Sequence, residues 1–145
     1  MTTSTRFRFL EHTADVYIAA YGKNLKEAFE NAAAAMFETM TNLNQITPTK
    51  KDTIHITARD EQALLYNWLE ALLIKFDTTG MLCSKFKIHS LAQTRGHLAL
   101  NATVWGEPFN PQKHLQKVGV KAITYHQMQI AKRPNQVEAR FILDI

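Results

Sequence analysis

The chain has 145 residues, 46% apolar and 21% charged, a balance that supports a packed core and excludes a disordered or low-complexity protein. Its single cysteine excludes an internal disulfide, and its net charge of +4 is dispersed rather than gathered in a basic tail of the kind that coats nucleic acid. No apolar run approaches the roughly 18 residues of a membrane helix. The polar start, residues 1–8, has no apolar stretch of the kind a secretory leader carries. A cytoplasmic protein with no membrane partner is therefore expected.

The first dense polar segment is Glu11-His12-Thr13-Ala14-Asp15, just ahead of a predicted strand at 16–21. Three readings compete for it. Thr13 and Asp15 could bond backbone amides in a turn, Asp15 and Glu11 could supply oxygen to a metal, or His12 could act as an acid/base group. Spacing does not separate them. Asn24 then reads as a helix cap, with Glu27 placed to bond back to the cap's own amide. Leu25, Ala28, Phe29, Ala32, Met36 and Met40 follow at helical spacing, and the alanine run 32–35 favours helix and close packing. This helix should end near Thr41 and Asn42.

A strand is predicted at 53–58, then a second helix capped by Asp60, with Glu61 in its first turn against the helix dipole. Leu64, Leu65, Trp68, Leu69, Leu72, Leu73 and Phe76 form its apolar stripe, a core face, and Gly80 closes it. Strands are predicted at 82–91, 97–105, 127–132 and 137–143, with turns at Arg95-Gly96 and Pro134-Asn135. Cys83 should be a buried strand residue. His55 and His89 should face solvent, so the 6 histidines do not read as a zinc cluster. The pattern predicts an α+β fold over residues 1–145: a single-domain sandwich with two helices packed on one face of a mostly antiparallel mixed sheet.

The second dense polar segment is 117–126. Lys121 stands among Val120, Ala122 and Ile123. It can snorkel to the surface, pair with a buried carboxylate, or meet a phosphate as a point charge. Tyr125 and His126 read as core or rim residues. At the other end of the last strand, the side chain of Asp144 and a terminal carboxylate on Ile145 would place two anions side by side. They form either a frayed end or half of a site for a hard cation. Cys-x-x-Cys, His-Glu-x-x-His, Gly-x-Ser-x-Gly and a phosphate loop are all missing, and only 5 glycines are present.

Taken in order, Phe9-Leu10-Glu11-His12-Thr13-Ala14-Asp15-Val16, Tyr21-Gly22 with Leu25-Lys26-Glu27-Ala28-Phe29, Leu64-Leu65-x-x-Trp68-Leu69, Gly106-Glu107-Pro108, His114, Val120-Lys121-Ala122-Ile123-Thr124-Tyr125-His126 and Leu143-Asp144-Ile145 resemble the archease family over nearly the whole chain. The resemblance implies a compact α+β sandwich of a sheet and two helices. It implies an accessory protein, not an enzyme, that activates an RtcB-type RNA ligase by promoting its guanylation and multiple turnover in tRNA splicing or RNA repair. It further implies a calcium site, or a site for another divalent cation, formed by Asp15, Asp144 and Ile145. Lys121 looks like the functional basic residue beside that site, and His12 belongs to the same motif as Asp15. RNA would be met only through the ligase, and a monomer or weak oligomer is expected. Asn110 stands where the family often has Asp, which leaves the three ligand positions intact.

Chemically, a cation between Asp15 and Asp144 would tie the start of the chain to its end, with Lys121 offsetting excess negative charge or facing a phosphate. A C-terminal tag would convert the carboxylate on Ile145 to an amide and should weaken metal binding more than an N-terminal tag. Two other classes are to be separated by assay: a metal-dependent phosphoester hydrolase using His12, His126 and Asp15, and a free-standing RNA-binding module, against which the missing aromatic-basic face argues.

Overall fold

The computed structural model describes residues 5–11 and 14–145, so His12 and Thr13 lie outside the described residues. Strands β1 (Phe7–Leu10) and β2 (Val16–Gly22) lead into helix α1 (Leu25–Met40) and a short 3-10 turn (Leu43–Gln45). Strand β3 (Lys50–Ala58) and helix α2 (Glu61–Thr79) follow, then four long strands: β4 (Met81–Thr94), β5 (His97–Pro108), β6 (Ala122–Arg133) and β7 (Gln136–Asp144). Among the described residues no helix is long and apolar enough to cross a membrane.

Both helices start where the capping chemistry places them. The Asn24 side chain accepts from the Glu27 amide at 2.9 Å, and the Asp60 side chain accepts from the Ala63 amide at 2.8 Å. The return bond from Glu27 differs from the expectation: its Oε1 accepts from the amide of Lys23, one residue before the cap, at 2.7 Å. Helix α2 ends on Gly80 in the left-handed conformation (φ 76°), which glycine adopts without a Cβ clash. The β4–β5 turn is similar: Arg95 and Gly96 both have positive φ, 46° and 82°, as a tight hairpin between right-twisted strands requires.

The strands are antiparallel and fall into two sheets rather than one, in the orders β1-β2-β7-β6 and β3-β5-β4. The α+β class is as expected, but the helices do not lie on one face of one sheet. Helix α1 packs on β2 and β4, and α2 on β3 and β6, so each helix touches both sheets. Accordingly α1 is buried almost all round, with Ala32, Ala33, Ala34, Ala35, Met36 and Phe37 fully inaccessible. The alanine run admits that contact on several sides. Trp68 on α2 is fully buried, and its indole N–H donates to the Phe29 carbonyl of α1 at 2.9 Å. Cys83 is buried as expected, and burial pushes its thiol up to about 12. His55 and His89 face solvent.

Strand β6 begins at Ala122, five residues earlier in the chain than the periodicity indicated, because a bulge hides its alternation. Thr124 pairs with Ile142 and the next pair is Gln129 with Arg140, so β6 carries extra residues between them. Gln127 within the bulge has φ 55°, rare for a side chain other than glycine. Strand β1 was also not foreseen; it is short and edges the four-stranded sheet.

Candidate functional site

Register brings the two distant acids together. Val16, the first residue of β2, pairs with Leu143 of β7, so Asp15 and Asp144 are the next residues along on the two paired strands. Strands in a sheet lie about 4.8 Å apart, and directly opposed Cβ atoms about 5 Å apart, a span one cation can bridge. On the other side of β7, Ala122 pairs with Asp144. Just before it, the Lys121 main-chain N–H donates to the Asp144 carbonyl at 2.7 Å. Asp15, Asp144, Ile145 and Lys121 therefore share one end of the four-stranded sheet. Leu143 is buried in the core, so alternation turns Asp144 to the other face, where it is exposed. Lys121 is exposed rather than buried with a carboxylate, Asp15 is partly exposed and Ile145 half-buried.

His12, assigned to this end by the sequence, lies outside the described residues. Among the described residues no group of three or more His, Cys, Asp or Glu side chains is placed to hold a metal. The end of the sheet offers two such side chains, from Asp15 and Asp144. Ile145 follows Asp144 at the same end and is half-buried. The donors are all oxygen, which suits a hard cation such as calcium and not a thiophilic one.

The β6 bulge lies beside this end. It carries Tyr125, 49% exposed, whose ring stacks on Tyr66 of α2 with centroids 4.4 Å apart and planes 6° from parallel. The main-chain N–H of exposed His126 donates to the Thr124 hydroxyl at 3.0 Å. Bulges re-aim side chains at sheet ends, and this one carries Tyr125 onto Tyr66 of α2. Sequence reading had Tyr125 as core or rim; it is the rim.

The loop between β5 and β6, which delivers Lys121, is held by a polar cluster that the sequence did not reveal as such. His114 is 1% exposed. Its Nδ1 accepts from the Asn110 amide at 2.9 Å, which assigns the proton to Nε2, and Nε2 donates to Glu107 Oε2 at 2.8 Å. This contact is therefore a hydrogen bond from a neutral imidazole. Lys113 Nζ lies 2.6 Å from the same carboxylate oxygen, and the Thr47 amide donates to it at 2.9 Å. Burial alone would raise the Glu107 carboxyl, but the bonds from Lys113, the Thr47 amide and His114 outweigh it and hold it at about 2. Gly106 is required next door, because a Cβ there would sit 1.8 Å from the Leu82 carbonyl oxygen. The signal available in sequence was Gly106-Glu107-Pro108 with a histidine seven residues after the glutamate.

The model of the archease protein family matches residues 7–145. The chain belongs to the archease family. It is 44% identical to the protein archease of Sulfurisphaera tokodaii over 140 residues, covering 97% of this chain and 99% of that one. To the archease of Sulfolobus acidocaldarius it is 42% identical over 141 residues, with the same coverage. The solution structure of Methanobacterium thermoautotrophicum protein 1598 superposes with a TM-score of 0.84 at 39% identity, covering 97% of this chain and 99% of that one. A crystal structure of a Thermotoga maritima archease, described as a possible chaperone, shares the fold with a TM-score of 0.60 at 15% identity, covering 99% and 100%. The two-sheet, two-helix architecture is thus the archease fold.

Proposed function

We propose that this archease is a non-catalytic activator of an RtcB-type RNA ligase, promoting its guanylation and repeated turnover in tRNA splicing or RNA repair. Its working end is the tip of the four-stranded sheet, where Asp15, Asp144 and Ile145 hold calcium or another divalent cation. The observation that carries the reading is the register that brings Asp15 and Asp144 to one end of the sheet, with Lys121 bonded to the Asp144 carbonyl on the far side. Two carboxylates at that spacing repel each other unless a cation lies between them.

A hard divalent cation bound there would supply positive charge and open oxygen-coordination positions to a phosphate. The chain's own residues do the rest. Asp144 is the last residue of β7 and Asp15 stands immediately before β2, so both are tied to neighbouring strands of one sheet. Lys121 is exposed at the same end and can face a phosphate as a point charge. The Glu107–His114–Lys113 cluster anchors the start of the loop that leads to Lys121. Membership in a family with a member described as a possible chaperone is in keeping with an accessory role.

The test is guanylation of the cognate ligase measured with and without this protein, and with the Asp15→Ala and Asp144→Ala variants. Wild type should accelerate it and both variants should not, while their circular dichroism and thermal midpoints stay near wild type. Normal stimulation by folded variants would remove the site from the mechanism. Phosphoester turnover by the purified protein alone would move the reading to a hydrolase.

A further inference from the structure

We infer that the opposite end of the same sheet is a second binding site, a basic groove that holds the phosphodiester backbone of an RNA strand. A cavity of about 780 Å³ opens there between the start of β1, the β2–α1 corner and the β6–β7 turn. Arg6, Arg8 and Lys23 line it, and among the described residues none of the three is ion-paired.

The two arginines are held ready rather than left loose. Arg6 Nε donates to Asn31 Oδ1 at 2.9 Å, and Arg8 Nε donates to the Tyr21 hydroxyl at 3.1 Å. Asn31 is itself fixed, its Nδ2 donating to the Tyr21 carbonyl at 2.6 Å. One hydrogen-bonded network therefore tethers both guanidinium groups through Nε to neutral acceptors. Their terminal nitrogens keep full charge and the fork geometry that phosphate oxygens match. The two carboxylates in the groove are already engaged with main-chain donors: Glu27 with the Lys23 amide at 2.7 Å, and Glu30 with the Ile88 amide at 2.8 Å.

The remaining lining decides the class of ligand. Among the described residues it consists of polar side chains, Tyr21 and Gly22, with no Leu, Ile, Val or Phe. A protein partner would want an apolar centre to its patch. A polyanion whose sugars and bases offer further hydrogen bonds suits Asn31, Asn135 and Gln136. The choice of RNA over another phosphate polymer rests on the ligase reading. Residues 15–22 at about 3.3 Å per residue put the groove roughly 23 Å from the acidic tip, so the tip can engage a ligase while the groove holds RNA.

The test uses the purified protein without ligase: fluorescence anisotropy of a labelled single-stranded oligoribonucleotide at several salt concentrations, against wild type, Arg6→Gln/Arg8→Gln and Asp144→Ala. Wild type should bind with a marked salt dependence. The double variant should lose at least tenfold in affinity, and its log–log salt slope should fall by about 1.4, since each single-strand phosphate contact contributes about 0.7. Asp144→Ala should bind RNA as wild type does, even though it fails to activate the ligase, so the two sites fail separately. Lys23→Gln, whose side chain makes no bond among the described residues, should cost about threefold and keeps the test decisive if the double variant does not fold. Absent binding at low salt, or equal binding by the variants, overturns the inference. So does a groove whose arginine side-chain NMR signals respond to inorganic phosphate but not to the oligoribonucleotide.

Discussion

The two ends of the four-stranded sheet carry opposite chemistry by different means. At one end Asp15 and Asp144, far apart in the chain, come together only because β2 and β7 pair in one register. At the other, Arg6 and Arg8 are positioned by a local network through Asn31 and Tyr21. The acidic end is therefore a product of topology and the basic end a product of side-chain bonding. Anything that loosens the sheet should damage the first, and surface substitutions can remove the second without touching the fold.

The strongest way to break the contrast is to damage the strand both ends share. Phe141 of β7 is fully buried opposite Ile18 of β2. Phe141→Ala should cost about 3–5 kcal/mol in chemical denaturation, and functions at both ends should fall together. His114→Ala should be milder and one-sided. It leaves the half-buried Glu107 short of one donor, costing about 1 kcal/mol. Ligase stimulation should fall as the Lys121 loop loosens, while oligoribonucleotide binding at the groove stays near wild type. An equal loss of both would show that the cluster supports the whole fold and not the loop.

Acid should sharpen the same distinction more gently. The Glu107 carboxyl is held at about 2 against an ordinary 4.5. A depressed folded-state value means the stability it carries is fully present above about 4.5 and is lost as the pH falls toward 2. Wild-type thermal midpoints should therefore drop across that window. Glu107→Gln should start lower and drop less, which differential scanning calorimetry would read.

How much of this was legible in the sequence follows from how local each feature is. The caps at Asn24 and Asp60, the Trp68 stripe and the Arg95-Gly96 turn depend on neighbours within a few residues, and all were readable. The division into two sheets was not, because β2 takes its partner from the far end of the chain. The start of β6 was lost to the bulge, which breaks the two-residue alternation on which strand reading depends. Asp15, Asp144 and Ile145 were named through family resemblance; composition alone left the end of the chain as either frayed or half of a metal site. The basic groove was missed outright, although the alternation Arg6-Phe7-Arg8-Phe9 held the signal: at strand spacing it puts both arginines on one face.

The most direct test of the central claim is the guanylation assay with calcium present, comparing wild type, Asp144→Ala and Arg6→Gln/Arg8→Gln. The account predicts that wild type and the arginine variant both accelerate guanylation and that folded Asp144→Ala does not. Full stimulation by Asp144→Ala would contradict it.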